Sequence, residues 1–385
     1  MSASRTRFDI SLSSDIDRIA ARFKRAGAKL YLVGGAVRDA LMRLPHDDID
    51  LATNLHPTDV IELLHDIDGF SISAVGKSFG VVKLVGSNAE YDIATFRIDH
   101  GEGRRPEHVT FTSIDEDVKR RDLTINALFY DLATNEVVDL VGGLADLRNH
   151  VVRTVGVPVD RFREDRLRVM RALRFAARFG FSIDPATASA IEADNDLSEL
   201  AAERIHDEFV KGVTGSSSSR CYLSLLERFK MWSQVFPGLD VRLVPDTHAP
   251  SAGPESSNVP VVLSVILNDS RKKISQVLHD LKYTVDEIDR TCFFKGLAGL
   301  DATNAAFELK RCQNRLRVTD EELFDAQGNR GLPSFPMLMS FASYELTVKG
   351  QDLVGEGFVG KEIGLELARR ESLLFKQLHG RATQR

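Results

Sequence analysis

Asp48-Ile49-Asp50 sets two carboxylates two residues apart in a short apolar run. In a strand, successive side chains point to opposite faces, so Asp48 and Asp50 share one face and Ile49 and Leu51 the other. Two carboxylates side by side repel each other unless a cation sits between them. Hard oxygen ligands of this kind suit Mg²⁺, which usually completes its shell with water and substrate phosphates. Just upstream, the apolar run Leu30 to Val33 breaks at Gly34-Gly35 and passes into helical spacing at Val37, Leu41 and Leu44. A glycine turn before a helix leaves backbone N–H groups free to meet an anion, helped by the helix dipole. Taken singly, a diglycine is a tight turn and paired aspartates are a solvated strand edge. Their fixed order (strand, diglycine, helix with Arg38, strand with two aspartates) points to chemistry on a nucleoside triphosphate.

A second constellation runs from Arg161 to Arg178, with seven arginines in eighteen residues. Asp165, Arg168, Arg171 and Arg174 recur every three residues and form one polar ridge if the segment is a helix, while Leu167, Met170, Leu173 and Phe175 to Ala177 supply a buried side. A salt-bridged exposed helix is the plain alternative. The arginine density exceeds what solubility needs, and arginine is the residue for planar, bidentate recognition of phosphates and base edges. A third group is Arg120-Arg121-Asp122 with Asn126, either a solvated turn or a place where Arg121 meets a triphosphate or ribose. Gly76-Lys77-Ser78 is no P-loop, because position 71 is Ser71 where that motif needs glycine. His65-Asp66 and His279-Asp280 lack a partner histidine at metal-ligand spacing.

These groups need positioning elements. A first amphipathic helix is expected over 14–26, a helix beginning at Pro57, and a hairpin of Phe79 to Val85 with Glu90 to Phe96 turning at 86–88, with Asp92 on its second strand. Arg97 to Pro106 reads as a mobile loop, and Ser113 with Glu116 as a capping box for a helix through Arg120 to Leu128. A small β unit follows at Glu136 to Leu140 and Val151 to Val155, after which strand signals stop. From 160 onward the pattern is helical, at about 163–179, 185–195, 203–213, 220–231, 273–282, 286–299, 303–316, 319–328, 334–349 and 359–377, with a connector at 238–260. The chain of 385 residues can hold two or three domains, and its net charge of −6 argues against a general basic coat without excluding a local basic groove. No apolar run reaches membrane-span length and no secretory signal opens the chain, so a cytoplasmic protein with no membrane partner is expected. Cys221, Cys292 and Cys312 lack metal or redox spacing and read as thiols in a reducing cytosol.

In this order the motifs resemble the class II tRNA nucleotidyltransferases (CCA-adding enzymes) and bacterial poly(A) polymerases. The residues that match are Leu32 to Asp39, Asp48-Ile49-Asp50, Arg120 to Leu128, Asp139 to Gly143, Glu164 to Arg168 with Arg171 and Arg174, and Glu203 to Ile205, with a looser match at 345–370. The resemblance implies an α/β head, polymerase-β-like with a mixed sheet and helices, followed by an all-α neck, body and tail. The implied bounds are a catalytic head at 1–158, a base-reading neck at 159–215, and a body at 216–300 and tail at 301–385 that bind tRNA. It further implies that Asp48 and Asp50 hold two Mg²⁺ ions, one acting on the RNA 3′-hydroxyl and one on the leaving pyrophosphate, with Asp92 as a third catalytic carboxylate. Gly35, Arg38 and Arg121 would contact the triphosphate and ribose. Asp165, Arg168, Arg171 and Arg174 would serve as a protein template for CTP and ATP, since C and A each present an amine beside a ring nitrogen where U and G present a carbonyl. Gly76 to Gly80 lies nearer the CCA-adding pattern than the poly(A) polymerase one. The stretch 97–106 is slightly shorter than in full CCA-adding enzymes, as in CC-adding relatives. CC-adding or A-adding activity, poly(A) polymerase and an inactive tRNA-binding module are the alternatives.

Overall fold

The computed structural model describes residues 4–45, 49–73, 76–87, 89–101, 107–216, 218–243, 257–297 and 347–379, together with 316, 318, 319 and 322. Two units divide the chain, Met1–Leu200 and Ala201–Arg385. The first is built on an eight-stranded sheet of short strands: β1 (Ser4–Arg7), β2 (Leu30–Val33), β3 (Asp50–Thr53), β4 (Phe70–Ser73), β5 (Val81–Gly86), β6 (Glu90–Thr95), β9 (Phe129–Asp131) and β10 (Glu136–Asp139). Their order is β1-β10-β9-β2-β3-β6-β5-β4. Only β3 and β6 run parallel, which makes the sheet mixed. β7 (Arg97–His100) and β8 (His108–Phe111) form a separate hairpin, and β11 (Val151–Val152) pairs with β12 (Ser182–Ile183).

Alternation along the central strands sends side chains into two layers. Leu30, Leu32, Leu51, Val82, Leu84, Tyr91 and Ile93 pack under Ile16, Ile19 and Phe23 of α1 (Ser14–Arg25), Ala36 and Val37 of α2 (Gly35–Leu41), and Val60 and Leu64 of α3 (Pro57–Leu64). The opposite face holds Tyr31, Val33, Ala52, Phe96, Phe129 and Val138 against Val118, Ala127 and Val155. One rung crosses this second face from edge to edge. Read by register it is Arg5, Val138, Phe129, Val33, Asp50, Asp92, Lys83 and Ser73. Val138, Phe129 and Val33 on the rung are apolar and covered; Asp50, Asp92 and Lys83 beside them are charged.

Beyond the sheet, the first unit carries α4 (Ile114–Asp117), α5 (Gly143–Arg148), α6 (Pro158–Glu164), α7 (Leu167–Phe179) and α8 (Pro185–Ala193). The parallel pairing of Val151–Val152 with Ser182–Ile183 ties the expected head to most of the expected neck within this unit. The described residues of the second unit form the helices α9 (Ala202–Gly215), α10 (Ser219–Arg228), α11 (Trp232–Val235), α12 (Val259–Ile266), α13 (Arg271–Asp280), α14 (Val285–Leu297), Gly350–Gly355 and Lys361–His379. α12 is apolar on every side and wholly buried, which is why its lack of amphipathic period hid it at the end of the 238–260 connector. The helices expected near 303–316, 319–328 and 334–349 fall almost wholly outside the described residues. Among the described residues no helix is long and apolar enough to cross a membrane.

Three local expectations are corrected. Arg97 to His100 is a strand, paired with His108–Phe111, rather than part of a loop. The helix expected through Arg120 to Leu128 is instead a four-residue helix, a 3-10 turn at Val118–Arg120, extended Arg121, and a second 3-10 turn at Thr124–Asn126. Ser113 sits at its N-cap position without a side-chain cap bond. Side chains compete with the helix here: Asp122 accepts from its neighbour's backbone, Leu123 N, at 2.7 Å. The helix expected at 163–179 breaks at Asp165, whose φ of −153° and ψ of 105° are extended.

The segment Asp139 to Gly143 has an architectural role. Asp139 accepts from the backbone N–H groups of Val141, Gly142, Gly143 and Leu144 at 2.8–3.1 Å. A Cβ on Gly143 would stand 2.2 Å from the carbonyl oxygen of Thr124. Gly143→Ala is therefore expected to destabilise the protein by about 1–3 kcal/mol in urea denaturation, because backbone rather than a pliable side chain must give way.

Candidate active site

The charged half of the rung is the centre of the site. Asp50 is the first residue of β3, exposed, and in register with Asp92 of β6. Their side chains leave the same face of two adjacent strands. Asp48 lies outside the described residues. Lys83, next on the rung, bonds Glu90 at 2.8 Å and stands 3.3 Å from Asp92 Oδ1. That oxygen is shut off from solvent, yet no hydrogen bond of good geometry reaches it. Two carboxylates on one face of adjacent strands, one oxygen of Asp92 shielded beside the Lys83 ammonium, are hard donors of a kind that fits a divalent cation. Among the described residues no three His, Cys, Asp or Glu side chains form a metal cluster.

The diglycine turn closes one side. Gly34 has φ +70° and ψ −129°, a conformation that L side chains rarely adopt, and caps α2. Gly35 is the first residue of α2. The guanidinium of Arg121 stacks on Phe129, 4.5 Å from the ring centroid, over the face that bears Asp50 and Asp92. Its Nη1 lies 3.7 Å from where a Cβ on Gly34 would stand. Arg121 thus lies beside the turn. Arg38 points elsewhere. It is 3% exposed, donates to Asp39 at 2.8 Å and to Asn126, and lies 4.9 Å from both the Phe175 and Phe179 rings of α7. Burial pushes its guanidinium down from its ordinary value while Asp39 pulls it back up. Arg178 reaches Asp39 at 3.4 Å, so this pair clasps α2 to α7.

The arginine ridge divides among different tasks. Asp165 sits at the elbow between α6 and α7 and accepts from Leu167 N at 3.1 Å. Arg168 donates to Glu164 at 2.7 Å and to the carbonyls of Arg161 and Arg120 at 3.1 and 2.8 Å. With Asp99, Glu116, Lys119, Arg120, Arg161 and Glu164 it lines a polar cavity of about 330 Å³. Arg171 pairs with Asp122 at 2.7 Å. Arg174 is buried against Phe175, 4.2 Å from the ring centroid. Asp165 and Arg168 are the two ridge residues at the elbow itself; Arg171 reaches Asp122, and Arg174 lies on Phe175 of its own helix.

Sequence reasoning overlooked Asp117 and kept Asp122 in the background. Asp117 is 1% exposed and accepts from Arg97 N, Arg120 and Arg121. Its place four residues before Arg121 in a helical turn was the available signal. Burial would raise its pKa, but Arg121, Arg120 and the Arg97 N–H outweigh burial and hold it below the usual carboxylate range. In Asp122 burial is likewise outweighed, chiefly by Arg171, then by Leu123 N–H and Asn126. Asn126 bridges onward, donating to Asp122 at 3.3 Å and accepting from Arg38. Arg171, Asp122, Asn126, Arg38 and Asp39 therefore form one chain of contacts between α7 and the diglycine turn.

Comparison with known proteins places this geometry. Residues 30–153 match the family model of the poly A polymerase head domain, and residues 180–243 that of the probable RNA and SrmB-binding site of polymerase A. Two segments of the chain are thus similar to the head and RNA-binding parts of poly(A) polymerases. Its relatives include a CCA-adding enzyme of Lactobacillus delbrueckii subsp. bulgaricus, 41% identical over 210 residues, 53% of this chain and 51% of that one. Another, from Latilactobacillus sakei, is 43% identical over 202 residues, 51% and 49% of the two chains. The chain thus spans about half the length of the curated relatives it matches. Its fold resembles the crystal structure of the Bacillus stearothermophilus CCA-adding enzyme in complex with CTP, with a TM-score of 0.70, 26% identity, and coverage of 95% and 94%. The segment that matches the head model contains Asp50, Asp92, the diglycine turn and Arg121.

Because Asp117 and Asp122 are depressed in the folded state, their stabilisation is present above about pH 4 and is lost as pH falls through their folded values. Thermal unfolding followed from pH 6 to pH 2 should show Tm falling below about pH 4. In Asp122→Asn that fall should be shallower, since one titrating group has been removed. An identical pH profile in the variant would show that Asp122 does not contribute.

Proposed function

We propose that this chain adds C, C and A to the 3′ end of tRNA from CTP and ATP, releasing pyrophosphate each time. The observation that carries the reading is the register of Asp50 with Asp92 beside the Gly34-Gly35 turn and Arg121. The relatives named as CCA-adding enzymes support the same reaction over the segment that holds these residues.

In this reading Asp48 and Asp50 hold Mg²⁺, with Asp92 as the third carboxylate. The bound ions supply Lewis acidity for the RNA 3′-hydroxyl and charge neutralisation for the departing pyrophosphate. The 3′-oxygen forms a bond to the α-phosphorus of the nucleotide, and the bond from that phosphorus to pyrophosphate breaks. The Gly34-Gly35 turn offers backbone N–H groups and space for phosphate oxygens. Arg121 donates to the triphosphate or ribose. Arg38, buried between α2 and α7, holds the turn rather than reaching outward on its own. Asp165 accepts from the exocyclic amine of C or A, and Arg168 donates to the adjacent ring nitrogen; U and G present a carbonyl where the aspartate needs a donor. Arg171 ties α7 to Asp122 and Arg174 lies on Phe175 of the same helix, so selection follows from their packing as well as from direct contact. The helical second unit would bind tRNA by shape and phosphate contacts.

Three tRNA transcripts test this, ending before CCA, after C and after CC, each with Mg²⁺ and CTP, ATP or both. Completion to CCA and no further is expected. Arrest at CC would replace the reading with a CC-adding enzyme, which the short 97–106 stretch favours; long A tails would indicate a poly(A) polymerase. Asp48→Ala with Asp50→Ala should lower incorporation by roughly 10³-fold or more while tRNA binding persists. Turnover near wild type in that variant would remove the metal assignment. Asp165→Ala is expected to relax the choice of C and A over U and G, measured by competing nucleotides; unchanged selectivity would take Asp165 out of the template.

A further inference from the structure

We propose that Asp117 is a positioning residue that sets the Arg121 guanidinium for the incoming nucleotide, an inference that rests on the nucleotidyltransferase reading above. The geometry constrains Arg121 on two sides. One face of its plane lies on Phe129, 4.5 Å from the ring centroid. Its Nε and Nη2 both donate to Asp117 Oδ2, at 3.3 and 3.1 Å. What remains is the Nη1 edge, which is directed at Gly34, 3.7 Å from the position of an added Cβ. A planar fork held by face and by edge keeps one orientation, so little rotamer freedom is lost when an anion arrives.

Asp117 can do this because it is itself fixed. It is 1% exposed. Its other oxygen accepts from Arg120 Nε at 2.8 Å and from the backbone N–H of Arg97 at 3.2 Å. Arg97 opens β7, which joins the carboxylate to a hydrogen-bonded hairpin rather than to a free loop. The same short segment presents the carbonyl of Arg120 to Arg168 Nη2 at 2.8 Å. One buried carboxylate thus orients the arginine beside the diglycine turn and stands next to the backbone that orients an arginine of the base-reading elbow. Asp117 touches no reacting atom in this arrangement; it acts through Arg121.

A double-mutant cycle on the full chain separates this role from a merely structural one. The measurements are CTP affinity by calorimetry in Mg²⁺, and kcat and KM for CTP on tRNA lacking CCA. Asp117→Asn is expected to weaken CTP binding and raise KM about tenfold with a smaller change in kcat, as for loss of uniform binding. In an Arg121→Ala background the same substitution should change affinity less than about twofold, because the group through which it acts is gone. Asp117→Glu, which keeps the charge and shifts it by a methylene, should give an intermediate affinity. An equal loss in both backgrounds, or no loss in either, would overturn the proposal. So would failure of both Asp117 variants to fold, which would assign the residue to the scaffold. Failure of the underlying reading looks different: wild-type protein would then incorporate no CTP into any tRNA end.

Discussion

Two carboxylates in register on neighbouring parallel strands repel each other, and like charges directly opposite on a sheet are unfavourable. Asp50 and Asp92 stand in this relation, and the surrounding fold keeps them there. Leu51 and Ile93, the next residues along, are fully buried on the other face, so neither strand can slip by one residue without exposing its core side chain. Val33, Phe129 and Val138 extend the same rung under cover, which anchors the charged half to a packed half. The pair is therefore imposed by the hydrophobic pattern of the sheet. A cation between the carboxylates would relieve the repulsion that the sheet enforces.

Around this pair, buried aspartates hold arginines in place. Asp117 holds Arg120 and Arg121, Asp122 holds Arg171, and Asp39 holds Arg38 and Arg178. Each pairing is buried or half-buried, where an unpartnered charge would be costly. Arginine suits these positions because its planar fork can bond a carboxylate along one edge and stack on Phe129, Phe175 or Phe179 with its face. The arginine-rich segment 161–178 thus serves two ends. Arg168 with Asp165 stands at the elbow between α6 and α7, while Arg171 and Arg178 attach α7 to Asp122 and Asp39.

Elements governed by local pattern were legible in the sequence. α1, β2, the β5–β6 hairpin and helices α8 to α10 follow amphipathic period, alternation and turn residues, and appear where these predict. Elements governed by distant partners were not. β1, β4, β9 and β12 are two to four residues long and are strands only because a neighbour completes them. The segment from Arg120 to Leu128 has the composition of a helix, yet it breaks into turns once Asp117 and Asp122 take its arginines and backbone amides. Spacing alone put Asp165 on a helical ridge; the structure puts it at a break between two helices. Of the site, Asp50 and Asp92 lie in register on adjacent strands, and Arg121 lies beside the diglycine turn. The supporting carboxylates escaped notice because a buried aspartate looks, in sequence, like any solvated one.

In the proposed reading, sheet register sets Asp92 beside Asp50 so that both face a cation held with Asp48. Mn²⁺ titration of the full chain, followed by water-proton relaxation with CTP present and absent, tests it without turnover. Asp92→Asn preserves the shape of the side chain and removes one charge. Wild-type protein is expected to bind Mn²⁺ at least about tenfold more tightly than this variant, as loss of one charged oxygen ligand from a hard-cation site requires. Equal affinity in the two proteins would contradict the claim and leave Asp92 as a strand residue whose partner is Lys83 alone.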